Sequence, residues 1–204
     1  MIKISLIGDS IRLIGYGTKV PELLGDDFEV FQPNINCKFA KFTLRGLFDW
    51  DNDMAGSRIV HWNNGLWDIC NLFGDGPFSS ETEYVENMSR IADLLLRKYD
   101  KVIFATTTPV AQQNQYNSNA DIERYNALIV PVLKEKGVII NDLHALVSAD
   151  IDAYICDDHI HLSTKGIEVC SQQVADVIRC AAETLEQKAD EPIAQAVSTM
   201  GAPV

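Results

Sequence analysis

The chain has 204 residues, 47% of them hydrophobic, enough for one sizeable domain with a real core. A formal net charge of -12 argues against a nucleic-acid partner, since phosphate binding needs clustered Lys and Arg; the acidity reads as solubility rather than as a binding surface. No apolar run approaches the ~20 residues of a membrane helix, so no membrane partner is expected.

From the N-terminus, Ile2–Ile7 reads as a first buried strand rather than a signal peptide. Lys3 lies within it, and Gly8-Asp9 interrupts it before any small-residue cleavage site. Further short runs rich in Val, Ile or Phe predict strands at Phe28–Phe31, Ile59–Trp62, Val102–Thr106 and Val138–Ile140. Val85, Met88, Ile91, Ala92 and Leu95 repeat at helical steps, and Ile122, Tyr125, Leu128, Ile129, Val132 and Leu133 do so again. Pro131 falls inside that second pattern and is expected to kink the helix or restart it. A last helix is set by Ile167, Cys170, Val174, Val177, Ile178, Ala181 and Leu185, with Ser163 or Thr164 as its cap.

Strands alternating with helices predict one α/β domain, a three-layer α/β/α sandwich on a mostly parallel five-stranded sheet. It is expected to span residues 1–187, with 188–204 as a C-terminal tail. In such sheets ligands sit beyond the carboxyl ends of the strands. That rule brings Gly8-Asp9-Ser10, Asn63-Asn64-Gly65 and Thr107-Thr108-Pro109 to one rim. The five cysteines (37, 70, 156, 170 and 180) are scattered without CxxC spacing, the usage of a reduced compartment, and a cytoplasmic location is expected. The four histidines (61, 144, 159 and 161) include no i, i+4 pair. Neither a metal nor a cofactor is expected.

Ser10 ends a strand in a tight turn, where a serine either caps the next helix or offers its hydroxyl as a nucleophile. The first helical turn behind it has backbone N–H groups that can stabilise an oxyanion. Asp158 and His161 stand three residues apart before the last helix. A carboxylate so placed can accept from Nδ1–H and leave Nε2 free to take a serine proton. Asn63 follows the third strand, from where its amide can donate to the same oxyanion. Asp9 reads as a turn-stabilising side chain rather than an acid catalyst. Arg12 reads as a lock on a neighbouring loop rather than an anion site. His61, Trp62 and Trp67 are open between a sugar-stacking pocket and the core.

Three ordered motifs carry a family resemblance. Gly8-Asp9-Ser10-Ile11, His61-Trp62-Asn63-Asn64-Gly65-Leu66 and Asp158-His159-Ile160-His161-Leu162 resemble the GDSL, GxND and DxxHL motifs of the SGNH hydrolases, the GDSL esterase/lipase superfamily. The resemblance implies the flavodoxin-like fold of that group and a serine-dependent ester hydrolase. Ser10, Asp158 and His161 would form its catalytic triad, with Asn63 and the Ser10 backbone N–H in its oxyanion hole. It departs from the family at Asn34–Lys41, which lacks the second-motif Gly and leaves the remaining donor open among Cys37, Ala40 and Lys41. His61 stands where the third motif has Gly, and Asn64 where it has Asp. The leading expectation is a small-molecule ester substrate, an O-acetylated carbohydrate. A thioesterase or lysophospholipase acting on longer chains is the alternative, decided by how far a loop around Leu44–Met54 closes the pocket. A non-catalytic binding protein on the same fold is the third reading.

Overall fold

The computed structural model describes residues 1–185; the expected tail at 188–204, and the domain boundary drawn before it, lie outside the described residues. In chain order the elements are β1 (Ile2–Gly8), α1 (Val20–Leu24), β2 (Phe28–Phe31), α2 (Ala40–Asp49), β3 (Ile59–Asn63), α3 (Leu66–Ile69), α4 (Glu81–Leu96), β4 (Lys101–Ala105), α5 (Asn119–Glu135), β5 (Ile139–Asn141), α6 (Leu143–Ser148), α7 (Ile151–Tyr154) and α8 (Thr164–Glu183). Between β1 and α1 the chain makes a π-helical turn, Ile11–Gly15, and a 3-10 turn, Tyr16–Thr18.

The strands form one five-stranded sheet in the order β2-β1-β3-β4-β5, and every pairing is parallel. Helices cover both faces: α2, α4 and α5 lie side by side on one, and α8 packs with α1, α6 and α7 on the other. Buried on both sides, the central strands read as continuous apolar runs instead of alternating ones. All of Ile59–Asn63 is buried. Removing a side chain such as Ile4, Leu6, Ile59 or Phe104 from water contributes about 1.5–3 kcal/mol each. Ser5, polar and within β1, is tolerated there because its Oγ is 2.8 Å from Ser57 Oγ.

The helices start where their caps dictate. Ser80 and Glu83 close a capping box on α4, Ser118 accepts from Asp121 N–H at α5, and Ser163, of the two expected caps, accepts from Gly166 N–H at α8. Of the two outcomes expected at Pro131, the restart does not occur: helix α5 runs on through it. Pro131 and Ala127 are exposed, so the Ala127 carbonyl that loses its donor faces water. Leu44–Met54 is not a loop over a pocket: most of it is helix α2, and it ends on a buried Met54. The chain then re-enters the sheet where Arg58 N–H bonds Lys3 O, at the opposite end from the carboxyl rim. Among the described residues no helix is long and apolar enough to cross a membrane.

Candidate active site

The strand order reverses between β1 and β3, and at such a switch point a crevice opens beyond the strand ends. Register places Gly8 opposite Asn63 there. A methyl group at Gly8 would lie 1.9 Å from Asn63 Oδ1 and 3.0 Å from Arg12 Cβ, so only glycine lets the two strand ends close. Gly8→Ala is therefore expected to cost at least about 1–3 kcal/mol in denaturant unfolding and to displace the Asn63 amide. A variant as stable as the parent would show that this approach is not tight.

Immediately after Gly8, Asp9 turns inward and becomes wholly buried. Its Oδ1 accepts from Ile11 N–H (2.9 Å) and Asn63 Nδ2 (2.7 Å), while its carbonyl accepts from Arg12 and Leu13 N–H. Burial pushes its pKa up to about 6 against the pull of those hydrogen bonds. Asp9 thus shapes the turn, as its type and position suggested. Ser10, the residue this turn presents, is partly exposed, and its side chain makes no capping bond. Ile11, Arg12 and Leu13 have spent their N–H groups on Asp9, whereas no partner is recorded for Ser10 N–H among the described residues.

Arg12 is fully buried beneath the turn. Its guanidinium donates to the carbonyls of Pro33 (2.8 Å), Ile35 (2.7 Å) and Gly8 (3.1 Å), pinning the loop after β2. The lock is made of carbonyls and not of the ion pair it could have used. Cys37 completes it: its N–H donates to Gly8 O at 3.0 Å, and Gly8 N–H returns a bond to its Sγ at 3.3 Å. Of the three residues left open as second-motif donors, Cys37 is therefore engaged. Ala40 N–H is bonded to the buried Asp68 carboxylate (3.0 and 3.2 Å). Lys41 N–H has no recorded partner among the described residues. Asn64 braces the same loop, accepting from Thr43 Oγ1 (2.9 Å) and donating to Lys38 O (2.8 Å).

On the other side of the rim the chain folds tightly before α8. Cys156 N–H bonds His161 O (2.8 Å), and His159 takes a left-handed backbone, φ 69°. Asp158 Oδ1 accepts from the backbone N–H groups of Ile160 (3.0 Å) and His161 (2.9 Å), and Oδ2 lies 2.6 Å from His161 Nδ1. Partial burial raises the Asp158 pKa, but the hydrogen bonds from His161 and Ile160 outweigh it and hold the carboxyl well below the usual range. Leu162 carries this loop onto the turn behind Ser10: a methyl at Gly15 would sit 3.2 Å from Leu162 Cδ1 and 4.0 Å from Ser10 O. His161 also lies close enough for its charge to lower the Asp9 pKa. Ser10, Asn63 and the Asp158–His161 pair are thus gathered on one rim. No hydrogen bond joins Ser10 Oγ to His161 among the described residues; in unliganded enzymes such bonds are often long.

The aromatic candidates divide. His61 and Trp62 are wholly buried, so neither can stack on a substrate, and both are corrected to core residues. The cause is the sheet: β3 is a central strand with helices on both faces, and Trp62 packs on Phe104 with ring centroids 5.0 Å apart. Trp67 keeps 37% of its surface exposed at the start of α3. Tyr16 was not singled out by any sequence pattern, yet its hydroxyl donates to Asn63 Oδ1 at 2.8 Å. The only hint in the sequence is an aromatic residue flanked by Gly15 and Gly17.

A parallel α/β sheet with a serine at its switch point and an Asp–His pair before the last helix defines the SGNH class of hydrolase. No family model matches the chain. It is 31% identical over 176 residues to the GDSL esterase/lipase CPRD49 of Arabidopsis thaliana, an alignment covering 71% of this chain and 69% of that protein. Among solved structures, a lipase/acylhydrolase from Enterococcus faecalis superposes with a TM-score of 0.75 at 18% identity, covering 89% of this chain and 97% of its own. The acetylxylan esterase Axe2 from Geobacillus stearothermophilus gives a TM-score of 0.72 at 15% identity, with 87% and 94% covered. The chain belongs to the GDSL esterase/lipase family, and with it to the carboxylic ester hydrolases.

Proposed function

We propose that Ser10, His161 and Asp158 act as nucleophile, base and orienting carboxylate in the hydrolysis of a short acyl ester, an O-acetyl group on a carbohydrate. Ser10 Oγ attacks the ester carbonyl while its proton passes to His161 Nε2. Asn63 Nδ2 and the Ser10 backbone N–H receive the oxyanion, and of Cys37, Ala40 and Lys41 only Lys41 has its N–H unengaged among the described residues. Collapse of the tetrahedral intermediate returns that proton to the leaving alcohol. Water, deprotonated by the same imidazole, then releases the acid and restores Ser10.

The observation that carries the reading is the Asp158–His161 contact at 2.6 Å, on a loop packed against the turn that presents an uncapped Ser10. It sets the imidazole tautomer that serine activation needs. The short acyl group is supported by the acetyl ester in the name of the structurally similar Axe2. The carbohydrate side is supported by the exposed Trp67 ring and by the substrate in the name of Axe2, the acetylxylan esterase of similar fold.

A panel of C2 to C12 chromogenic esters, run beside acetylated mono- and oligosaccharides, tests the substrate. The expected result is highest kcat/KM at C2, with acetate released from the sugars. Preference for C8 or longer would overturn the short-acyl assignment. Labelling by a fluorophosphonate, read as a single adduct on Ser10 by intact mass and peptide mapping, tests the nucleophile separately.

A further inference from the structure

Beneath Asn63 runs a buried chain of hydrogen bonds whose direction can be worked out atom by atom. Gln173 Nε2, on α8, donates to Asn141 Oδ1 at 2.8 Å. Asn141 Nδ2 lies 3.2 Å from His61 Nε2. An amide nitrogen can only donate, so Nε2 must accept, and the neutral ring carries its hydrogen on Nδ1. That nitrogen is 3.5 Å from Tyr16 Oη, a long and weak contact that directs the ring N–H toward the phenol oxygen. The Tyr16 hydrogen is then left for Asn63 Oδ1, at 2.8 Å. With its oxygen so held, Asn63 turns Nδ2 to the Asp9 side, where one N–H meets Asp9 Oδ1 at 2.7 Å. Its other N–H has no recorded partner among the described residues.

Every member from Asn141 to Asp9 is buried. Burial pushes the His61 pKa down to about 3 and the Tyr16 pKa well above its ordinary value, so both stay neutral through the range in which an esterase works. A flipped Asn63 amide would set its oxygen against the Asp9 carboxyl and its nitrogen against the Tyr16 hydroxyl. The chain of donors opposes that flip from both ends. His61 makes this possible: the glycine usual at its position in the third motif has no ring to reach Tyr16.

We infer that Tyr16, backed by His61, is a positioning residue for ester hydrolysis, holding the Asn63 amide so that its second N–H is aimed at the developing oxyanion. The inference rests on the proposed role of Asn63. A donor held in advance costs no reorganisation when charge develops, so the effect belongs to the transition state and to kcat.

A double-mutant cycle on a chromogenic acetate separates this role from a merely structural one. Asn63→Ala is expected to lower kcat by about 100-fold or more. Tyr16→Phe keeps the buried ring and is expected to lower kcat by about five- to tenfold with KM within twofold. In the Asn63→Ala background the same change is expected to alter kcat by less than about twofold, because the group it orients is gone. Equal losses in both backgrounds, or a Tyr16→Phe kcat within twofold of the parent, would overturn the inference while leaving Asn63 in place. An Asn63→Ala variant of near-normal kcat would instead overturn the Asn63 assignment, and the inference with it. If thermal melting shows that Tyr16→Phe does not fold, His61→Leu is put through the same cycle. It removes the donor behind Tyr16 and is expected to lower kcat in the same direction, by about two- to threefold. An additive result there would be equally fatal.

Discussion

Ser10→Ala is expected to lower kcat on a chromogenic acetate by about 10⁵- to 10⁶-fold, leaving only the residual rate that binding and oxyanion donors sustain without a nucleophile. The fold should hardly register the change. Ser10 Oγ caps no helix, and the turn around it is fixed by Asp9 and by backbone groups that the substitution leaves intact. Stability is expected to stay within about 0.5 kcal/mol of the parent. Loss of turnover in a fully folded protein would tie the chemistry to this hydroxyl. A variant with near-normal turnover would mean that the nucleophile lies elsewhere.

Asp158→Asn carries the second-largest expected effect, a fall in kcat of about 10³- to 10⁴-fold. The geometry says why an amide cannot substitute. Both backbone donors, Ile160 and His161 N–H, point at Oδ1, while the imidazole Nδ1 meets Oδ2. An asparagine must therefore keep its oxygen toward the backbone pair and turn its NH2 toward the ring. Nδ1 becomes an acceptor, the ring hydrogen moves to Nε2, and the base that Ser10 needs is lost. Stability should move little, since Asp158 is about half exposed. The sign is nonetheless defined: a carboxyl with its folded pKa below the usual range stabilises the fold at neutral pH and loses that contribution as pH falls through the folded value. Kinetics with melting curves at neutral pH check both parts. An Asp158→Asn kcat within tenfold of the parent would mean that another group orients His161.

These expectations draw on two kinds of information. The sheet was legible because a parallel sheet covered on both faces needs short, continuous apolar strands. All five expected runs became strands, shifted only by a residue or so at their ends. Asp158 and His161 were legible for a different reason: their contact is local, made within one loop, so spacing alone predicts it. Helix α2 is not legible in the sequence, because its apolar residues fit a loop near the pocket as well as a helix. Only the sheet's connectivity reveals that this segment leads to the far end of β3. His61 and Trp62 show the limit of residue type as a guide. Both suit a sugar pocket, and a central strand buries them.

From the residues alone came the fold class, the ester-hydrolase reading and the ordered placement of Ser10, Asn63, Asp158 and His161, since periodicity and local motifs are properties of neighbours in the chain. Tertiary structure alone decided what stands behind Asn63. Tyr16 and His61 are 45 residues apart, and His61 and Asn141 80, so no pattern along the chain announces that their polar atoms meet. They meet because parallel pairing of β1, β3, β4 and β5 brings distant segments together in a dry interior, where each buried donor must find an acceptor.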